Sequence, residues 1–150
     1  MNSRAKEREI EYRGRHLCGQ WYYGNFIERI ADSPVPETPC AYRSVMIGDK
    51  EDGSAEGVEE ETVGQFTGLF DIDGNRIYED DILLTEGGWG GVVAWNSSGY
   101  FYIVEKWRYV SDELEEPSCT PLGEMLHMTK LRVVGNVFDN PEIVQEWKYK

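Results

Sequence analysis

The stretch Thr67 to Leu84, TGLFDIDGNRIYEDDILL, constrains the fold more than any other part of the chain. Asp73-Gly74-Asn75 stands between two apolar runs. Gly74 can take a positive φ without a Cβ clash, and Asp and Asn tolerate that region better than other residues do. Phe66-Thr67-Gly68-Leu69-Phe70 precedes the turn. Ile77 and Tyr78 follow it, then the acidic corner Glu79-Asp80-Asp81 and the strand-like Ile82-Leu83-Leu84-Thr85. This pattern predicts a hairpin that turns a corner and feeds a further strand. Gly68, Asp73, Gly74, Asn75 and Asp81 are its turn and corner residues.

The same residues carry a family resemblance. TGLFDIDGNRIYEDDIL is similar to the signature of the YopX family, small proteins encoded by phages and prophages. Three further blocks resemble that family in order and spacing: YRGRHLCGQWYYGNFIE (Tyr12 to Glu28), ETVGQ (Glu61 to Gln65) and VVGNVFDNPEI (Val133 to Ile143). The chain departs at Asp80, where the family usually has Gly. Asp can adopt the left-handed conformation at moderate cost, so the corner is expected to survive. The resemblance implies an all-β fold, with a C-terminal part similar to an SH3-like small β-barrel; with a short C-terminal helix added, the fold class expected is mainly β. It implies no activity and no cofactor.

The remaining punctuation fits short strands. Glu9 to Leu17 reads as a strand, Leu17-Cys18-Gly19 as a turn, and Gln20 to Ile30 as an aromatic return strand. Gly24 inside that strand predicts a bulge or a close backbone approach. Pro34, Pro36 and Pro39 mark a loop, and Tyr42 to Ile47 a short strand. Asp49 to Glu61 holds seven carboxylates and one Lys, a composition expected of a solvated, mobile loop. The Gly-rich run Glu86 to Gly91 has no GK[ST] ending, so it reads as a turn between strands and not as a phosphate loop. Gly91 to Trp95 and Tyr100 to Glu105 form a hairpin across Asn96 to Gly99, because both mix β-branched and aromatic residues. Lys106 to Pro121 reads as a polar excursion, and Leu122 to Met128 fits a helical turn or a short strand equally well. Leu131 to Phe138 is a strand. Asn140-Pro141-Glu142 starts a short helix that presents Ile143, Val144 and Trp147 at helical spacing. The organisation expected is an N-terminal β-hairpin region with acidic loops over 1–61, and a barrel domain closed by a short C-terminal helix over 62–150.

Charge bounds the partners. With 15 basic and 28 acidic residues the net charge is −13, which opposes duplex nucleic acid and anionic membrane surfaces alike. No run approaches the roughly 20 apolar residues of a membrane span, and the N-terminus lacks the apolar region of a signal peptide. Three cysteines without paired spacing suit reduced thiols in a bacterial cytoplasm. The expected partner is a host or phage protein. Trp- and Tyr-rich strand edges also predict a homo-oligomer.

Candidate chemistry is thin. Asp71, Asp73 and Asn75 alternate as in an EF-hand loop, but the Gly falls at the fourth position and Ile82 occupies the twelfth. His16, Cys18, Cys40, Cys119 and His127 lack zinc-ligand spacing. Glu79, Asp80 and Asp81 are explained as corner residues, and nothing singles out a catalytic carboxylate pair. No metal, cofactor or catalytic residue is therefore assigned. SH3-like barrels use loop aromatics to grip extended peptides, which nominates Trp89, Trp107 and Tyr109 for binding. The simpler alternative has those rings packed in a core or an interface. The function expected is a non-enzymatic protein-interaction module. The alternatives are an acidic DNA mimic that occupies a nucleic-acid-binding protein and, last, a small hydrolase.

Overall fold

The computed structural model describes residues 9–31, 42–105 and 120–148. The three prolines of the predicted loop lie outside them, as does most of the excursion from Lys106. The chain divides into two compact units, Met1–Gln65 and Phe66–Lys150. Among the described residues all strand pairings are antiparallel, and the two α-helices are short. Among the described residues no helix is long and apolar enough to cross a membrane.

In the first unit, β1 (Tyr12–Arg15), β2 (Trp21–Ala31), β3 (Tyr42–Gly48) and β4 (Ala55–Gly57) lie in the order β4-β3-β2-β1, with the start of β5 (Gly64–Phe70) on the far side of β1. Gly19, at φ 95°, closes the β1–β2 turn, and its amide donates to the His16 carbonyl. Gly24 has φ 155°, and a Cβ there would overlap the carbonyl of Gly48 on β3. The close approach read from the sequence is thus the β2–β3 contact itself.

The acidic segment after β3 differs from its expectation as a mobile loop. Asp49 Oδ1 accepts the amides of Glu51 and Asp52, and Asp52 Oδ1 accepts that of Ser54. These Asx contacts fold the turn that returns the chain as β4, in register Ile47↔Glu56. A 3-10 turn over Glu60–Thr62 follows. The Thr62 hydroxyl accepts the Arg15 amide at 2.9 Å and donates to the Glu59 carbonyl, which clamps the turn to β1. Gly14 leaves room for the Val58 side chain, which a Cβ would meet at 2.7 Å. Composition favoured solvation, and these specific partners for the backbone override it.

In the second unit, β5 pairs with β6 (Arg76–Tyr78) through an irregularity at Gly68, φ 84°. Phe66 packs on Tyr78 and Phe70 with ring centroids 5.6 Å apart in both cases. The predicted corner then feeds β7 (Asp81–Leu84), which sits in a four-stranded sheet β10-β7-β8-β9 with β8 (Gly90–Asn96), β9 (Tyr100–Glu105) and β10 (Arg132–Asn136). The continuous run Ile82-Leu83 is fully buried because both sheet faces are covered. Leu83 packs with Ile77, Val93, Leu122 and Leu131. Ile82 and Val92 pack with Trp147, Ile143 and Val144 of α2 (Pro141–Lys148). Each such side chain contributes about 1.5–3 kcal/mol of burial. Leu122–Met128, ambiguous in sequence, is helix α1, and its Leu122, Met125 and Leu126 cover the first of these clusters.

The expectation of an SH3-like barrel is met only as far as a mainly β architecture. Among the described residues no closed barrel is found, and β9 and β10 are the ends of the four-stranded sheet. The Asn140 side chain also differs from a simple cap: its Oδ1 accepts the Asn136 amide at 3.3 Å.

Asp80 has φ 70° and is the one non-glycine in that region among the described residues. Its amide donates to Val93 and its carbonyl accepts from Val137, so the corner ties β8 to the chain after β10. We expect Asp80→Gly to fold with equal or higher stability. Asp80→Val should lose about 1–2 kcal/mol, because a branched Cβ is poorly tolerated there. Thermal denaturation of the two variants checks this, and an unaffected Val variant would contradict it.

Candidate functional site

Of the three aromatic residues nominated for binding, the structure describes Trp89. Trp89 lies in the β7–β8 turn, half exposed, with its amide on Thr85 Oγ1 at 3.0 Å. Trp107 and Tyr109 lie outside the described residues. Of the zinc candidates, Cys40 and Cys119 lie outside as well. The Cys18 amide donates to His16 Nδ1 within the β1–β2 turn, and His127 is exposed on α1. No three His, Cys, Asp or Glu residues converge among the described residues.

The turn and corner residues serve the backbone. Asp71 is buried and accepts four donors. The amides of Asp73 and Asn75 reach Oδ1 at 2.9 and 2.8 Å, and the Val133 amide and Asn75 Nδ2 reach Oδ2 at 3.0 and 3.1 Å. Burial pushes its carboxyl up, but the hydrogen bonds from Val133, Asn75 and Asp73 outweigh that and hold it below the ordinary aspartate value. Asp73 pairs with Arg132 at 2.9 Å on the surface, and Gly74 takes φ 83°. Asp81, 2% exposed, accepts the Tyr78 amide on Oδ2 at 2.8 Å. These carboxylates organise a hairpin and a corner. The alternation that suggested a calcium loop is the spacing of an Asx turn.

Among the described residues, recessed surface is found in the first unit, along β3 and β4. One groove of about 490 Å³ runs past Leu17, Val45, Met46, Val58 and Glu59. Leu17, 84% exposed at the tip of the β1–β2 turn, stands at its rim. A second groove of about 300 Å³ is lined by the segment Trp21 to Tyr23 together with Ile47, Asp49, Ser54 and Glu56. Beside it the Arg13 guanidinium lies 4.7 Å from the centre of the Trp21 ring. Desolvation raises the Tyr22 phenol pKa, and the charges of Glu56 and Cys18 raise it further. The surface thus combines apolar and aromatic walls with carboxylates. Sequence reading missed it because Tyr22 and Glu56 sit on strands that only the sheet order brings together. The one available signal was the aromatic run Trp21-Tyr22-Tyr23.

Comparison with curated proteins finds none that matches. The YopX protein family model matches residues 37–145, a span that holds β3 to β10, the Asp71 hairpin and the Asp80 corner. The block Tyr12 to Glu28 falls before that span. The match covers most of the chain, and the protein belongs to the YopX protein family.

Proposed function

We propose that the protein is a non-enzymatic protein-interaction module of a phage or prophage, working in the bacterial cytoplasm, and that it grips a basic segment of a partner protein. The observation that carries this reading is the pair of grooves along β3 and β4, in which apolar walls are edged by Asp49, Glu56 and Glu59. Acidic rims around apolar clefts favour cationic peptides and repel phosphate. The reading of the second unit as an SH3-like small barrel draws its support from its short, sharply turned antiparallel strands.

A specific observation also favours the DNA-mimic reading as second choice. The carboxylates of Asp49 to Glu61 sit on a hairpin and a 3-10 turn whose backbone is hydrogen-bonded, which gives their charge a defined arrangement. A mimic presents such charge to a nucleic-acid-binding protein.

The test is a fluorescence-anisotropy screen of basic, neutral and acidic peptides alongside duplex and single-stranded oligonucleotides, at roughly 150 mM salt. We expect basic peptides alone to bind. Sub-micromolar oligonucleotide binding that weakens steeply with salt would overturn the proposal. A protein that ignores every peptide yet displaces DNA from a nucleic-acid-binding protein would favour the mimic.

A further inference from the structure

We propose that the smaller groove of the first unit recognises one cationic side chain, a Lys ammonium or an Arg guanidinium, carried on an extended segment of the partner. The inference rests on the interaction-module reading and names the chemistry of one of its subsites.

Register builds the site. Tyr22 lies opposite Gly14 across the β1–β2 pair, where the neighbour has no side chain. Ile47 lies opposite Glu56 across β3–β4, and Ser54 precedes Glu56 by two residues, so both project to the side of Ile47. The groove lining therefore joins the Tyr22 phenol, the Ile47 side chain and the Glu56 carboxylate from three strands. Asp49 also lines it. One of its oxygens accepts the turn amides of Glu51 and Asp52, which holds the carboxylate in place. Among the described residues neither Lys nor Arg lines the groove.

The volume of about 300 Å³ suits a side chain, not a folded partner. An alkyl stem can lie on Ile47 while its charged head meets Tyr22 and Glu56, the division of labour by which long basic side chains bury their methylenes. A cation beside an aromatic face and a carboxylate gains from both. An exposed ion pair with Glu56 alone would add little, so discrimination depends on the ring and the carboxylate acting together. An anionic ligand meets two carboxylates. A neutral apolar one partly desolvates Glu56 and brings no charge to meet it. Desolvation makes the Tyr22 phenol harder to ionise, and the Glu56 charge adds to that.

The experiment uses the full chain, labelled for amide NMR, and short Gly/Ser peptides that carry a single central Arg, Lys, citrulline or norleucine. The Arg and Lys peptides should shift the amides of Tyr22, Ile47, Ser54 and Glu56, and the ring signals of Tyr22 should report a lowered phenol pKa on binding. Citrulline and norleucine peptides should not. Glu56→Gln, nearly isosteric and exposed, should weaken Arg and Lys binding about tenfold, and Tyr22→Leu should do the same. Glu60→Gln removes the same charge outside the groove and should leave affinity unchanged. Equal binding of the charged and uncharged peptides overturns the assignment, as does an undiminished affinity in Glu56→Gln. Shifts confined to Leu17, Val45 and Val58 also overturn it, while the interaction-module reading stands. Silence toward every peptide removes both.

Discussion

Asp71→Ala should lower the unfolding free energy by about 3 kcal/mol, because several amides lose a buried charged acceptor at once. Asp71 is 7% exposed, and its two oxygens hold the amides of Asp73, Asn75 and Val133. Left unpaired, these donors cost more than the removed bonds return. The hairpin turn and β10 then lose their common anchor. Asp71→Asn keeps one acceptor oxygen but turns a donor toward donors, so it should fall between Ala and wild type. The comparison is Arg132→Ala, which breaks only the exposed pair with Asp73 and should cost about 0.5 kcal/mol or less. Urea denaturation of the three variants measures the difference. A loss below that of Arg132→Ala would show that Asp71 is not the anchor.

The same residue sets an acid limit. Its folded-state pKa lies below the ordinary 3.8, so the unfolded state binds the proton more readily. The stability it contributes is fully present above pH 3.8 and is lost as pH falls through the lower folded value. Stability measured across that window should fall less steeply in Asp71→Asn than in wild type. Parallel curves would refute the linkage.

Gly24→Ala should cost about 3 kcal/mol, the sum of a backbone region that is nearly glycine-only and an overlap with main chain. Its φ is 155°, and the added Cβ has no flexible neighbour to displace: it meets the carbonyl of Gly48. Relief requires β2 and β3 to separate, and both grooves are built on β3. Peptide binding should therefore fall along with stability. Gly19→Ala is the control. Gly19 has φ 95° with nothing within 4 Å, so that variant pays only the conformational cost of about 1 kcal/mol and should keep binding. If the Gly24 variant were as stable as the Gly19 variant, the β2–β3 contact would be looser than described.

Local chemistry determined much of this protein on its own. Asp73-Gly74-Asn75 specifies its turn, the tolerance of Asp for positive φ preserves the corner at Asp80, and Gly24 marks a backbone approach. Asn140-Pro141 starts a helix whose Ile143, Val144 and Trp147 face the sheet. Each signal is held within a few residues, where φ preferences and side-chain period act. Tertiary structure alone decided the rest. Asp49 to Glu61 has the composition of a solvated loop, and it becomes strand and turn because β3 and Thr62 supply partners for its backbone. Leu122–Met128 is too short for its period to speak, and burial of Leu122 selects the helix. Asp71 could be read as a ligand until Val133, remote in sequence, was seen to donate to it. The groove between Tyr22 and Glu56 exists only through the order β4-β3-β2-β1. Sequence encodes torsional preference and period locally, whereas a site made across strands depends on register, which no single segment contains.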